Sequence, residues 1–213
     1  MHKHIDALQY ITSGTPAAQI QQAKEACEAG ARWIQLRLKN ESDAVILATA
    51  KVVKEICAQH DAVFILNDHI HLAIAANADG VHLGKEDCSP LEARKQLGPT
   101  KIIGGTSNTL EDIEYLVESG VDYIGLGPFR FTSTKEKLSP IVGLTGYSTI
   151  IAACKTKNIT TPIIAIGGIE QADIQAILQT GIYGVAVSGS ITNATDKKET
   201  IASFYHTLKT ACV

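Results

Sequence analysis

Several short apolar runs in the chain end in polar residues whose types suit phosphate and metal chemistry. One ends in Gln35-Leu36-Arg37-Leu38-Lys39. Alternate side chains of an extended segment share a side, so Gln35, Arg37 and Lys39 form a row of one amide and two cations. Arginine grips phosphate oxygens through a planar fork and lysine adds a compact charge, so this row suits a phosphorylated ligand. A solvated rim has the same composition and stays open as the plainer reading. Two further runs end in Leu66-Asn67-Asp68 and in Val81-His82-Leu83-Gly84, the latter followed by Glu86-Asp87. Asp68 and Asp87, after successive runs, can converge on one hard cation. Mg2+ takes one or two carboxylates and completes its octahedron with water and substrate phosphates. Either aspartate could instead cap a following helix.

The connection from Gly127 to Gly143 is long and carries Thr132-Ser133-Thr134-Lys135, three hydroxyls beside a cation. Connections of this length tend to be lids or binding loops, with a passive surface loop as the alternative. Ile166-Gly167-Gly168-Ile169 and Ser188-Gly189-Ser190 place small residues after two late runs. There, backbone N–H groups can approach a phosphate at the start of a short helix. His69 and His71 look like a metal pair, yet residues two apart on a helix point to different sides, so they read as a solvated helix start. His82 falls inside an apolar run and reads as an interior residue whose role stays open.

The elements that must position these residues follow a repeat. The segments 25–37, 116–127 and 177–189 each read as a helix, a glycine and a short apolar strand. Gly30, Gly120 and Gly181 stand where a helix C-cap needs positive φ, and Asn77-Ala78 takes that place in a fourth unit, 74–84. The strands are nearly continuous apolar runs, as expected of a parallel sheet covered on both faces. The pattern predicts strands near 8–12, 32–37, 62–66, 79–83, 101–104, 122–126, 162–166 and 184–188. Helices are expected near 16–29, 43–58, 69–77, 89–97, 109–119, 145–157, 170–179 and 197–210. Such units average about 27 residues over the 213, which fits a single (β/α)8 TIM-barrel domain of parallel strands spanning 1–213. An open doubly wound sheet would call for Gly-x-Gly-x-x-Gly after the first strand, and Thr12-Ser13-Gly14-Thr15-Pro16 is not one. In a barrel, chemistry belongs at the C-terminal strand ends, where the polar residues above stand.

Composition narrows the partners. With 45 % apolar and 19 % charged residues the chain can bury a sizeable core, and a net charge of −3 gives no reason to expect nucleic acid or an anionic membrane as partner. Cys27, Cys57, Cys88, Cys154 and Cys212 are odd in number, widely spaced and lack a Cys-x-x-Cys, which argues against a disulfide framework and for a reducing compartment. The N-terminal MHKHIDALQYIT lacks a signal-peptide apolar core and no run is long enough to span a bilayer. A soluble, cytoplasmic protein is expected, and homo-oligomerisation is compatible with this composition.

Read together and in order, these segments resemble thiamine-phosphate synthase, from the second strand through Ile191. The markers are Gln35-Leu36-Arg37-x-Lys39, Asn67-Asp68, Ala78-Asp79-Gly80-Val81-His82-Leu83-Gly84 with Glu86-Asp87, Gly125-x-Gly127-Pro128 with Thr132-x-Thr134-Lys135, and Ile166-Gly167-Gly168-Ile169. The resemblance implies condensation of a hydroxymethylpyrimidine diphosphate with a thiazole phosphate, carboxylated or plain, releasing pyrophosphate. It also implies that pyrophosphate leaves first and that the thiazole nitrogen captures the pyrimidine methylene cation. Carried over, Gln35, Arg37, Lys39 and Asn67 hold the pyrimidine diphosphate, Asp68 and Asp87 bind Mg2+, and Lys135 meets the departing pyrophosphate. Arg37 and Lys135 are the expected catalytic cations. Thr132, Ser133, Thr134, Gly168, Ser188 and Gly189 hold the thiazole phosphate.

Three segments depart from the family's pattern. Thr106 stands where Ser is usual and keeps a hydroxyl for the diphosphate. Ser188-Gly189 replaces an apolar residue followed by Ser, which makes that phosphate turn backbone-led. Phe129-Arg130-Phe131 replaces a Tyr-Pro version of the loop. A thiazole tautomerase on the same barrel would not need the metal pair and the diphosphate-gripping cations. A non-catalytic thiamine-phosphate binder would bind and release no pyrophosphate.

Overall fold

The apolar runs become strands because each is covered on both faces. In the computed structural model, which describes residues 5–131 and 140–210, eight parallel strands close into a barrel in sequence order, β1 pairing with β8. They are β1 (Leu8–Ile11), β2 (Trp33–Leu36), β3 (Val63–Asn67), β4 (Gly80–Leu83), β5 (Ile102–Ser107), β6 (Tyr123–Leu126), β7 (Ile163–Ile166) and β8 (Gly184–Val187). The helices are α1 (Pro16–Glu28), α2 (Asp43–Gln59), α3 (Ile70–Ala75), α4 (Pro90–Leu97), α5 (Leu110–Glu118), α6 (Gly143–Thr156), α7 (Ile174–Gln179), α8 (Gly189–Thr192) and α9 (Lys197–Thr210). A turn of 3-10 helix, Gln171–Asp173, leads into α7. Among the described residues no helix is long and apolar enough to cross a membrane.

Alternation divides the strand side chains between two cores. Outward residues such as Leu8, Ile34, Leu36, Phe64 and Ile124 pack with the helices in the larger core. Inward residues Ile11, Trp33, Ile65, Ile102, Tyr123, Ile164 and Ala186 fill the barrel itself. Each fully buried large apolar side chain contributes roughly 1.5–3 kcal/mol, so the interior is a packed plug beneath whatever sits on the rim.

Local signals set the helix ends. Thr15, Ser89 and Thr109 accept N-cap hydrogen bonds from Ala18, Glu92 and Asp112, each cap contributing about 1 kcal/mol. At the opposite ends Gly30, Gly120 and Gly181 have φ of 103°, 72° and 94°, and Asn77 takes the same left-handed place at 50°. The predicted helix–glycine–strand repeat is therefore a run of C-cap turns.

Two aspartates tie the N-terminal side of the barrel. Asp79 accepts from the Phe64 N–H at 2.8 Å and pairs with Lys54 at 2.6 Å. Asp122, two units later, accepts from the Ile103 N–H at 2.8 Å and pairs with Arg94 at 2.7 Å. These contacts face away from the strand C-termini, where they serve stability.

β5 runs to Ser107, beyond the expected end near 104. Gly104-Gly105 interrupts the apolar pattern but not the strand. A Cβ at Gly104 would fall inside the Tyr123 ring, and one at Gly105 would collide with the Leu116 side chain. The glycines make room for large neighbours on both faces.

Candidate active site

The C-terminal ends of the strands surround a cavity of about 920 Å³. Gln35 and Arg37 enter it from β2, Asn67 from β3, His82 from β4 and Thr106 from β5. Gly168 follows β7, and Ser188-Gly189 follows β8 and opens α8. Seven residues expected at the site from the sequence thus meet at one cavity. His82, whose role the sequence leaves open, joins them. Gln35 lies at the inner end of its row, 1 % exposed, with Arg37 half-buried above it.

The row continues to Lys39, which leaves the cavity wall. Its ammonium sits 2.8 Å from Asp68 Oδ2. Asp68 has a left-handed backbone, φ 66°, which aspartate tolerates better than most residues, and its N–H donates to the His82 carbonyl at 2.9 Å. Asp87 accepts from the Gly84 N–H at 2.6 Å and lies within hydrogen-bonding reach of the Asp68 carboxyl. Burial raises the Asp87 pKa and Asp68 raises it further, opposed by the Gly84 N–H and Lys39. Asp87 borders a smaller hollow of about 340 Å³ that shares Thr106 with the main cavity. No group of three or more His, Cys, Asp or Glu side chains able to hold a metal ion comes together among the described residues. The donor set is a carboxylate pair, which matches the preference of Mg2+ for few protein ligands with water and phosphate completing its shell.

Thr132, Ser133, Thr134 and Lys135 lie outside the described residues. The described stem of their connection is pinned to the β7–α7 turn. Phe129 N–H donates to the Ile166 carbonyl at 2.8 Å and Arg130 N–H to the Gly167 carbonyl at 3.1 Å. The Arg130 guanidinium reaches Asp173 at 2.5 Å and lies over the Phe129 ring, which stacks on Tyr147 with centroids 5.8 Å apart. Gly168 has φ 70°, and a Cβ there would come within 2.5 Å of Arg130 Cγ. The Phe129-Arg130-Phe131 departure is thus accommodated by an ion pair and a ring stack, while Phe131 lines the cavity.

Beneath the cavity runs a polar chain that sequence reading missed. Gln35 Nε2 is 3.4 Å from Gln9 Oε1, and Gln9 Nε2 donates to the Tyr123 hydroxyl at 3.1 Å. Tyr123 lies 2.9 Å from His82 Nδ1, and His82 Nε2 lies 3.0 Å from Thr106 Oγ1. Gln9 and Tyr123 sit in apolar strand runs, and no local spacing marks them. His69 is the N-cap residue of α3 and the exposed His71 pairs with Asp43 at 2.7 Å; the two rings nonetheless meet edge-on, with centroids 6.2 Å apart.

The sequence matches the thiamine monophosphate synthase family model over residues 8–191. It is 50 % identical over 192 residues to thiamine-phosphate synthase of Flavobacterium johnsoniae, covering 90 % of this chain and 91 % of the relative. It is 47 % identical over 194 residues to that of Bacteroides fragilis strain ATCC 25285, covering 91 % and 95 %. The fold superposes on thiamine phosphate pyrophosphorylase from Pyrococcus furiosus with a TM-score of 0.84 at 29 % identity, covering 97 % of this chain and 96 % of that one. With the closed barrel, the strand-end residues and these matches over nearly its whole length, the chain belongs to the thiamine monophosphate synthase family.

Proposed function

We propose that the protein is a thiamine-phosphate synthase, a transferase joining 4-amino-2-methyl-5-(diphosphomethyl)pyrimidine to a thiazole ethyl phosphate, carboxylated or plain, with release of pyrophosphate. The observation that carries this reading is the layout of one rim. Gln35, Arg37 and Asn67 come from β2 and β3, whereas Gly168 and Ser188-Gly189 follow β7 and β8, all lining one cavity. Two phosphorylated substrates then have separate anchors that bring their reacting ends together.

In the proposed reaction the bond between the pyrimidine methylene and its diphosphate oxygen breaks, and the bonding pair leaves with pyrophosphate. The thiazole nitrogen lone pair then forms the new C–N bond. No side-chain nucleophile is needed. With the plain thiazole the balance requires no proton transfer, whereas the carboxylated thiazole must also release its carboxylate as CO2 and take up a proton from solvent at that ring carbon. Arg37 and Lys135 stabilise the charge that grows on the leaving group. The Gly168 and Ser188-Gly189 backbone holds the thiazole phosphate, so its ring nitrogen faces the methylene. Mg2+ held by Asp68 and Asp87 would neutralise diphosphate charge. The packed barrel interior below limits the water that could capture the cation. We place the enzyme in the cytoplasm on its cysteine pattern.

A pyrophosphate-release assay with both substrates, with and without Mg2+, tests the proposal. Release that needs both substrates and the metal supports it. Binding without pyrophosphate would mark a sensor, and thiazole isomerisation without pyrophosphate would mark a tautomerase.

A further inference from the structure

The hydrogen-bond chain under the cavity joins five strands and ends on a residue at the ligand surface. Its glycine surroundings show that the rings must sit where they do. Gly104 is in register with both His82 and Tyr123, and only a missing Cβ lets the Tyr123 ring lie over it. Gly125 is in register with Thr106, and a Cβ there would stand 3.2 Å from His82 Cε1. The Tyr123 ring is further wedged edge-on against Trp33, with centroids 4.7 Å apart.

The direction of the chain follows from its inner end. Gln9 accepts at its carbonyl oxygen from the Gln35 amide and donates its own amide N–H to the Tyr123 oxygen. Burial pushes the Tyr123 pKa up, so the phenol keeps its proton. With the Gln9 amide donating to the phenol oxygen, the phenol proton points to the acceptor 2.9 Å away, His82 Nδ1. A neutral imidazole accepting at Nδ1 carries its proton on Nε2, which faces Thr106 Oγ1 at 3.0 Å. Thr106 therefore accepts from His82, and its own hydroxyl proton is left to donate.

We propose that Tyr123 and His82 are positioning residues that set the tautomer of His82 and turn the Thr106 hydroxyl into a donor aimed at a diphosphate oxygen. A diphosphate only accepts hydrogen bonds, so a threonine whose proton pointed back to histidine would face it with a lone pair. A chain polarised toward the anion strengthens each member in turn. The inference rests on the synthase reading for its ligand, but the tautomer itself does not.

The test joins spectroscopy with kinetics. The full chain, labelled with 15N-histidine, carries seven histidines, and His82→Gln identifies the His82 signals by their loss. The expected result is a protonated, pyrrole-like Nε2 and an unprotonated, pyridine-like Nδ1, with that pattern lost or mixed in Tyr123→Phe. In turnover, Thr106→Val should lose about tenfold in kcat/KM for the pyrimidine diphosphate. Its KM for the thiazole phosphate should hold, and Thr106→Ser should restore activity. Tyr123→Phe should show the same one-sided loss while keeping the ring. A proton on His82 Nδ1, or on both nitrogens, in the wild-type protein overturns the inference even if the enzyme turns over normally. Equal losses for both substrates in Tyr123→Phe would reduce Tyr123 to a packing residue and also overturn it. Absence of pyrophosphate release by the wild-type chain would instead sink the synthase reading and leave the tautomer result standing.

Discussion

The carboxyl groups of Asp68 and Asp87 lie within hydrogen-bonding reach of each other, beyond the ends of neighbouring strands, with the Lys39 ammonium 2.8 Å from Asp68 Oδ2. Burial and the Asp68 charge both make ionisation of Asp87 unfavourable. One ammonium compensates two carboxylates only partly. A divalent cation would relieve the rest, which gives a reason for two acids to be held together here.

Asp87→Asn tests this pairing with little disturbance of the backbone, because the amide oxygen can still accept from the Gly84 N–H. The metal-free variant should be at least as stable as the wild type, since it removes a like-charge contact. Mg2+ should raise the wild-type Tm through its preferential binding to the folded state. That increment should shrink sharply in the variant, with apparent Mg2+ affinity weakened about 10–100-fold. Thermal unfolding across a Mg2+ series reads both effects, and an unchanged metal response would remove Asp87 from the site.

Lys135→Ala should lower turnover more than it weakens binding of the thiazole phosphate, which has its own glycine-lined anchor. By comparison with loss of one preorganised donor, the fall should be ~10²–10³-fold in kcat. Lys135→Arg keeps the charge in a different geometry and should recover only part of it. Steady-state kinetics with both substrates varied decides the matter. Near-wild-type turnover of the alanine variant would make Lys135 a bystander.

Gly168→Ala should act on the thiazole phosphate side alone. The position has φ 70°, and the added Cβ would stand 2.5 Å from Arg130 Cγ and 3.1 Å from the Phe131 carbonyl oxygen. A left-handed alanine costs about 1–2 kcal/mol before any displacement. The expected readout is a thiazole phosphate KM raised about tenfold, with the pyrimidine diphosphate KM changed little. A uniform loss for both substrates would contradict a dedicated phosphate anchor there.

Gly104→Ala should be a folding defect first. Its Cβ would occupy space held by the fully buried Tyr123 ring, which Trp33 and the barrel interior prevent from yielding. Overpacking of this kind costs about 1–3 kcal/mol, visible as a lower midpoint in urea. Wild-type stability would show that the ring has somewhere else to go.

The sequence by itself determined the unit of this fold and the chemistry available at its ends. Gly30, Gly120, Gly181 and Asn77 announce C-cap turns because the left-handed conformation is a property of single residues. The apolar runs after them announce covered parallel strands. Strand-end residue types, from Gln35 and Arg37 to Gly168 and Ser188-Gly189, are equally local, and their order was enough to point to the family. Tertiary structure decided which of them meet. Lys39 left the row of Gln35 and Arg37 for Asp68, because closing the barrel put β3 beside the end of β2. The Gly104-Gly105 pair looked like the end of a strand until Tyr123 and Leu116 were packed against its two faces. Gln9 and Tyr123, 114 positions apart, became neighbours only when the barrel closed around them. Short-range conformational preference is written residue by residue, whereas a contact across a barrel depends on closure, stagger and which side of every intervening strand faces in. No window of sequence contains those three together.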